Sequence, residues 1–268
     1  GAGAGAGGDG PHSRGTVAAM PIILKSRDEI AIMRDAGRIV AEVLHTLVER
    51  LRPGLVEKEL DEIVRKQFGK RKVIPVFLGY QGYPATVCVS VNDEIVHGIP
   101  GDREIADGDV VSIDLGCVYK GFVADAAVTV GVGNVSPEAG RLIGVTREAL
   151  NRGIDAARAG ARLGQIGAAI QTYVEGEGFS VVREYVGHGV GRQMHEDPQV
   201  PNYGDPETGP VLKEGMVIAI EPMVNAGDWR TKRDPDNWTV RTLDGSLSAH
   251  FEHTLAVRDG AAEVLTLP

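Results

Sequence analysis

Val110-Val111-Ser112-Ile113-Asp114 and Phe122-Val123-Ala124-Asp125 stand on either side of Tyr119-Lys120-Gly121, and this stretch decides how the chain folds. Segments 109–118 and 122–132 are rich in β-branched residues, and Gly121 can take the positive φ of a tight turn, so the two are expected to pair as an antiparallel hairpin. With Tyr119-Lys120 as the two-residue loop, Asp114 lies directly opposite Asp125; with Lys120-Gly121 as the loop, the two are diagonal neighbours. Either register puts both on one face. Like charges across strands repel, and an ordinary aspartate pair faces water. A pair held inside apolar strands calls for a cation.

Three further residues repeat the pattern: His188 after Tyr185-Val186-Gly187, Glu221 after Val217-Ile218-Ala219-Ile220, and Glu252 after Ser248-Ala249-His250-Phe251. Strands with such flanks are expected to be buried, and a carboxylate taken out of water costs several kcal/mol unless something compensates it. Asp114, Asp125, His188, Glu221 and Glu252 supply four carboxylates, one imidazole and no thiolate. That donor set suits Mn, Fe(II), Co or Mg better than a closed structural zinc site.

The chain has 268 residues, 43% of them hydrophobic and 24% charged, enough for one large α/β domain or two small ones, each with a sizeable core. No apolar run approaches the roughly 18 residues of a membrane span, and no secretory signal is visible. Cys88 and Cys117 lie in strand-like runs, so reduced thiols in a cytoplasmic protein are expected rather than a disulfide framework. A net charge of −9 argues against a dedicated nucleic-acid binder. Any polyanion contact would be local, and loop 228–241, with Arg230, Lys232, Arg233 and Arg241 among Trp229 and Trp238, is the most basic aromatic-flanked segment.

Residues 1–19 are low-complexity, opening Gly-Ala-Gly-Ala-Gly-Ala, and Met20-Pro21 reads as a natural start. Residues 1–19 are therefore expected to be a flexible or appended head, with the fold in 20–268. Ser26 with Glu29 forms a capping box that opens a helix carrying Ile30, Met33, Val40, Leu44 and Leu47 on its apolar side. Arg52-Pro53-Gly54 ends it. A second helix carries Leu60, Val64 and Phe68 and is expected to stop near Gly69, with strands following around 74–78 and 86–91. A shift of 106 residues superposes Arg52-Pro53-Gly54 on Arg158-Ala159-Gly160, and Leu60, Val64 and Phe68 on Ile166, Ile170 and Val174; Ser136-Pro137 would open the second copy as N-cap and N1 proline. Such a repeat implies two α/β halves whose sheets meet at a pseudo-twofold axis, with the candidate ligands converging there.

Several motifs go further: Gly79-Tyr80-Gln81-Gly82-Tyr83-Pro84, Asn92-Asp93-Glu94-Ile95-Val96-His97-Gly98-Ile99-Pro100, Gly187-His188-Gly189-Val190-Gly191-Arg192, Glu196-Asp197-Pro198, Ile220-Glu221-Pro222 and Ser248-Ala249-His250-Phe251-Glu252-His253-Thr254. In this order and spacing, from about Ile22 to the C-terminus, the chain resembles the type I methionine aminopeptidases. The resemblance implies an α/β (α+β) pita-bread fold, pseudo-symmetric, with a central antiparallel sheet flanked by helices and a dinuclear metal site at its centre. It implies removal of the initiator methionine from nascent peptide N-termini when the second residue is small. On the family's pattern Asp125 and Glu252 would bridge two divalent ions, Asp114 would complete one site, and His188 with Glu221 the other. Four carboxylates also match two divalent ions in charge.

The resemblance further implies that Glu221 moves the proton, that His97 hydrogen-bonds the scissile amide, and that His195 steadies the oxygen of the tetrahedral intermediate. Phe77, Tyr80, Tyr83, Cys88, Met194 and Trp238 fall on the methionine pocket; Phe77 stands where some members have Cys, and Met194 where many have Phe. A monovalent cation site would use the carbonyls of Asn92 and Glu94 with Ser248. His250 stands where the family usually has Gln, and strand alternation turns His253 to the face opposite Glu252. Loop 228–241 would dock on ribosomal RNA, and the protein is expected to act as a monomer. Two other readings compete: an aminopeptidase P or prolidase, which usually carries a large N-terminal domain, and a non-catalytic binding module, which would be expected to have lost ligands.

Overall fold

The computed structural model describes residues 21–268. The head expected at 1–19 lies outside the described residues, and no helix among them is long and apolar enough to cross a membrane.

Helix α1 is Arg27–Arg50. Its capping box forms as read: the Glu29 amide donates to Ser26 Oγ at 3.1 Å, and the Ser26 amide donates to Glu29 Oε1 at 3.0 Å. Helix α2 is Glu57–Arg71, two residues beyond the stop expected at Gly69. Phe68, buried to 1% exposure, pins the last turn against the core, and Lys72, with φ 56°, takes the left-handed capping role usually given to glycine. The strands that follow are β1 Ile74–Pro75, β2 Val87–Val91, β3 Glu94–Val96, β4 Val110–Tyr119 and β5 Phe122–Gly131. β1 is shorter than the 74–78 expected, because the chain bends away into a short turn of helix at Tyr80–Gly82. Next come α3 Pro137–Ala156, capped by Ser136, and α4 Gly164–Gly176. The remaining strands are β6 Ser180–Val181, β7 Gly187–Gly189, β8 Glu196–Val200, β9 Val217–Ile220, β10 Met223–Asn225, β11 Thr231–Arg233, β12 Val240–Thr242, β13 Ser248–His250, β14 His253–Ala256 and β15 Glu263–Val264.

The expected hairpin is β4–β5. Tyr119 pairs with Phe122, which leaves Lys120 and Gly121 as the loop. Both have positive φ, 47° and 82°, as a two-residue type I′ turn requires. Asp125 therefore faces Gly116, Asp114 faces Ala127, and the two aspartates are diagonal neighbours. Glycine at 116 keeps this face open, since a Cβ there would lie 2.8 Å from Val76 Cγ1 and 3.1 Å from Asp125 Cβ.

The repeat read from the sequence corresponds to two helix pairs, α1–α2 and α3–α4. Leu60, Val64, Phe68, Ile166, Ile170 and Val174 are all buried. Each pair covers its own apolar cluster, the first with Val87, Val89, Ile113 and Leu115, the second with Ile218, Ile220 and Val224. The strands repeat as well. Ile220 pairs with His253 and Met223 with His250, in one register interrupted at Pro222, which has no amide to donate. That register sets Glu221 opposite Glu252, as β4–β5 sets Asp114 opposite Ala127.

The two ribbons join at a single antiparallel bridge, Ala127 to Glu252, with the Glu252 amide 2.9 Å from the Ala127 carbonyl and the reverse bond at 3.2 Å. Two residues away on each side a threonine hydroxyl fills the widening gap. Thr254 Oγ1 accepts from the Asp125 amide at 3.1 Å and reaches its carbonyl at 2.7 Å. Thr129 Oγ1 accepts from the His250 amide at 2.8 Å and reaches its carbonyl at 2.7 Å. The pseudo-twofold axis through the bridge thus relates Ala127 to Glu252, Asp114 to Glu221, Thr129 to Thr254 and Asp125 to His250.

Candidate metal centre and its cavity

The seam between the ribbons gathers the five ionisable residues singled out in the sequence. Asp114 and Asp125 project from β4 and β5, and His188 from β7. Glu221 and Glu252 do not lie within regular strands as expected; they occupy the breaks between β9 and β10 and between β13 and β14, where Pro222 and the bridge to Ala127 interrupt the ladder. His188 Nε2 lies 3.2 Å from Glu221 Oε2, 3.5 Å from Asp125 Oδ2 and 3.8 Å from Glu252 Oε1. The His188 Nδ1 is 2.9 Å from the Gly189 carbonyl, so an Nδ1–H can donate there and leave the Nε2 lone pair aimed at the carboxylates, the orientation a metal-binding imidazole needs. Ligand atoms of Asp125, His188, Glu221 and Glu252 lie within 4.8 Å of one another, and so do those of Asp114, His250 and Glu252.

The electrostatics of this cluster suit a cation. Burial, reinforced by the charges of Glu221 and Asp125, pushes the Asp114 carboxyl well above the usual range. Burial and the same carboxylate neighbours push Glu252 up as well. Burial pulls the His188 imidazole down, but hydrogen bonds and charge from Asp125 and Glu221 outweigh it and hold the group well above its ordinary value. Burial also opposes ionisation of Glu221, and contacts with His188 and His250 overcome it, leaving its pKa well below normal. Asp114 Oδ1, Glu252 Oε1 and His250 Nε2 are buried without a hydrogen-bond partner. Unpartnered acceptors in such a place are costly, and divalent ions would satisfy them; the residues present fit a metal.

A cavity of about 160 Å³ opens beside the cluster. It is lined by Phe77, Tyr80, Tyr83, Cys88, Met194, Trp238, His97 and His195, every residue the resemblance placed in the pocket, and by the carboxylates themselves. Tyr83 is fixed by its hydroxyl, which donates to the carbonyls of Val87 at 2.9 Å and Gly98 at 3.0 Å, and packs edge-on against Trp238 with ring centroids 5.1 Å apart. Cys88 pairs in register with Asp114, and burial first, then the Asp114 charge, raises its thiol pKa well above normal. His195 lies with its ring 4.3 Å from that of His188, and its Nδ1 is 2.7 Å from the Tyr80 hydroxyl. Burial lowers the pKa of His195, and lowers that of His97 to about 4, so His97 is neutral near pH 7.

Other expected residues are placed as follows. His253 points away from the cluster, Nδ1 lying 2.7 Å from Thr266 Oγ1. The Asn92 carbonyl accepts from the Ser248 amide at 3.0 Å, which brings two of the three suggested monovalent-cation residues together; the Glu94 carboxylate, which has no part in that suggestion, accepts from the Val91 amide at 2.9 Å and lies near Arg103 and Arg241. In loop 228–241 part of the positive charge is paired. Arg241 is engaged by Asp93, Glu94 and Asp234, and Arg230 by Asp228, while Lys232 and Arg233 make no ion pair among the described residues.

Sequence reasoning missed Gln81, which lines the cavity in a left-handed conformation with φ 48°, and Tyr185, whose ring stands 5.7 Å from His97. Neither carries a local signal. It also passed over the threonine hydroxyls at the seam and left His250 without a role, although period-two alternation puts residue 250 on the same face as Glu252.

Buried and half-buried carboxylates around a histidine, in a pseudo-symmetric α/β fold and beside a cavity walled largely by aromatic rings, define a metallopeptidase. Residues 31–259 match the model of metallopeptidase family M24, and the chain belongs to that family. Within it the chain stands with the methionine aminopeptidases. It is 54% identical over 245 residues to methionine aminopeptidase 1 of Bacillus subtilis, covering 91% of this chain and 99% of that one. The crystal structure of a methionine aminopeptidase from Thermotoga maritima superposes with a TM-score of 0.91 at 47% identity, covering 92% of this chain and all (100%) of the other. A prolidase from Pyrococcus furiosus shares the fold, with a TM-score of 0.70 at 24% identity, but this chain spans only 66% of it. The competing prolidase reading thus rests on fold alone.

Proposed function

We propose that the protein is a divalent-metal aminopeptidase that removes methionine from the N-termini of nascent peptides whose second residue is small. The observation that carries this reading is the juxtaposition of Asp114, Asp125, His188, Glu221 and Glu252 with a small cavity walled by aromatic rings, a thioether and a thiol. High identity over nearly the full length of methionine aminopeptidases supports it.

Asp114, Asp125, His188, Glu221 and Glu252 would hold the divalent metal, with Asp125 and Glu252 as the carboxylates that two ions would share; Co, Mn and Fe(II) all suit these donors. A divalent metal bound there would supply Lewis acidity, making a water nucleophilic near neutral pH. The chain's own residues do the rest. Phe77, Tyr80, Tyr83, Cys88, Met194 and Trp238 surround an unbranched thioether, gaining sulfur–ring contacts worth some tenths of a kcal/mol or more. The Tyr80 hydroxyl lies 2.7 Å from His195 Nδ1; in the tautomer in which Tyr80 donates there, the proton of the neutral ring is on Nε2, free to donate to the oxygen of the tetrahedral intermediate. Neutral His97 hydrogen-bonds the scissile amide, and Glu221 takes up the proton and delivers it to the leaving amine. Asn92 and Glu94 through their carbonyls, and Ser248 through its hydroxyl or carbonyl, would hold a monovalent cation.

The protein acts in the cytoplasm as a monomer, with residues 20–268 as one catalytic unit; the free, buried thiols of Cys88 and Cys117 suit a reducing compartment. Lys232 and Arg233, exposed on loop 228–241, provide the contact to ribosomal RNA. The test is metal removal and return. Chelated protein should lose hydrolysis of Met-Ala-Ser and regain it with added Co or Mn, whereas undiminished turnover after complete metal removal would exclude the mechanism.

A further inference from the structure

The sequence singled out His250 only as a departure from the family's usual glutamine, and the structure gives that departure a chemical setting. The side chain is 1% exposed, and its Nε2 is buried with no hydrogen-bond partner. The Glu221 carboxylate oxygen Oε1 stands at 3.7 Å, beyond hydrogen-bond reach. The two other unpartnered atoms of the centre belong to Asp114 and Glu252, the residues with which His250 forms a cluster of ligand atoms within 4.8 Å. The main chain at His250 is fixed on both sides by Thr129 Oγ1, so the ring is presented to the seam by a rigid strand. Its position is the pseudo-twofold equivalent of Asp125, which faces the opposite half of the same centre.

We propose that His250 is a metal ligand in this chain, its Nε2 completing the ion position held by Asp114 and Glu252. The proposal rests on the metallopeptidase reading and adds to it an imidazole at each of the two ion positions, His188 at one and His250 at the other. An added nitrogen donor at an otherwise all-carboxylate position strengthens binding of Co, Ni and Zn relative to Mn.

Cobalt-loaded protein examined by X-ray absorption should show about one imidazole per cobalt, against about half that in His250→Gln. Calorimetric titration of metal-stripped protein with cobalt should show the weaker binding step reduced at least about tenfold in His250→Gln, with the tighter step little changed. The count in the unaltered protein stands by itself if His250→Gln folds poorly. Two bound cobalt ions with only one imidazole between them, or the same count in parent and variant, would overturn the role of His250 and leave the metallopeptidase reading intact. A parent that binds no cobalt would overturn both.

Discussion

Glu252 belongs to both groups of ligand atoms, and Asp125 sits one diagonal step from Asp114 across the hairpin. If these two carboxylates are shared between the ions, Asp125→Asn and Glu252→Gln should each lower metal content and abolish peptide hydrolysis together, as elemental analysis and a peptide assay on the same preparations would show. A second residue-scale expectation concerns Glu57 at the start of α2. Its Oε1 is buried without a partner, and burial, against the bond from the Gly101 amide, raises its pKa to about 7. The folded chain therefore keeps a proton that the unfolded chain releases, and stability falls as pH rises from the ordinary carboxyl value of 4.5 to about 7, then levels off. Glu57→Gln should flatten that loss and melt at a higher temperature than the parent at about pH 8; an unchanged pH profile would show that Glu57 is ionised in the fold. At this scale the sequence was informative where apolar flanks announced a charge drawn out of water, as at Asp125 and Glu252, which are buried, and at Asp114 and Glu221, which are half-buried. It was silent on Glu57, and it marked His250 only as a departure from the family's glutamine, because the surroundings of both come from distant strands and loops.

Among the elements, the capping boxes and proline signals were readable because each is a local exchange of hydrogen bonds: Ser26 with Glu29 opens α1, and Ser136 caps α3. The end of α2 falls at Arg71, within two residues of the stop signal at Gly69, with the Lys72 amide capping the Gly69 and Phe68 carbonyls. Less readable still is what ties the loop bearing His195 to the body. Lys25, just before α1, meets Glu196 at 2.8 Å, with side chains only 3% and 8% exposed, and Glu196 also accepts from the Gln193 amide at 3.2 Å. Removing one partner of a buried pair strands the other charge, so Lys25→Met should cost about 3–5 kcal/mol in urea unfolding. Because Met194 and His195 lie in the loop that Glu196 anchors, the variant should also raise KM for methionyl peptides. A stability change below about 1 kcal/mol would mean that the pair is effectively solvated.

For the whole molecule, the repeat was visible in the sequence only as helical spacing 106 residues apart, and its consequence emerges from strand register. The two halves present Asp114 and Glu221, and Asp125 and His250, to one seam, so neither half holds the centre alone. Loop 228–241 lies apart from that symmetry. Since carboxylates neutralise Arg230 and Arg241, ribosome binding through it should be weak and salt-sensitive; Lys232→Glu with Arg233→Glu should reduce cosedimentation at low salt with peptide hydrolysis nearly unchanged. Equal cosedimentation would remove that contact. The central claim, a metal centre joined to a methionine pocket, is tested most directly by kcat/KM of the metal-loaded protein on Met-Ala-Ser, Met-Leu-Ser, Leu-Ala-Ser and a peptide with proline second and no methionine. The account predicts that Met-Ala-Ser is cleaved at least about a hundredfold faster than Met-Leu-Ser or Leu-Ala-Ser, the size of discrimination a shaped pocket can supply. Preference for the proline peptide, or no cleavage of any of them by protein shown to contain its metal, would contradict it.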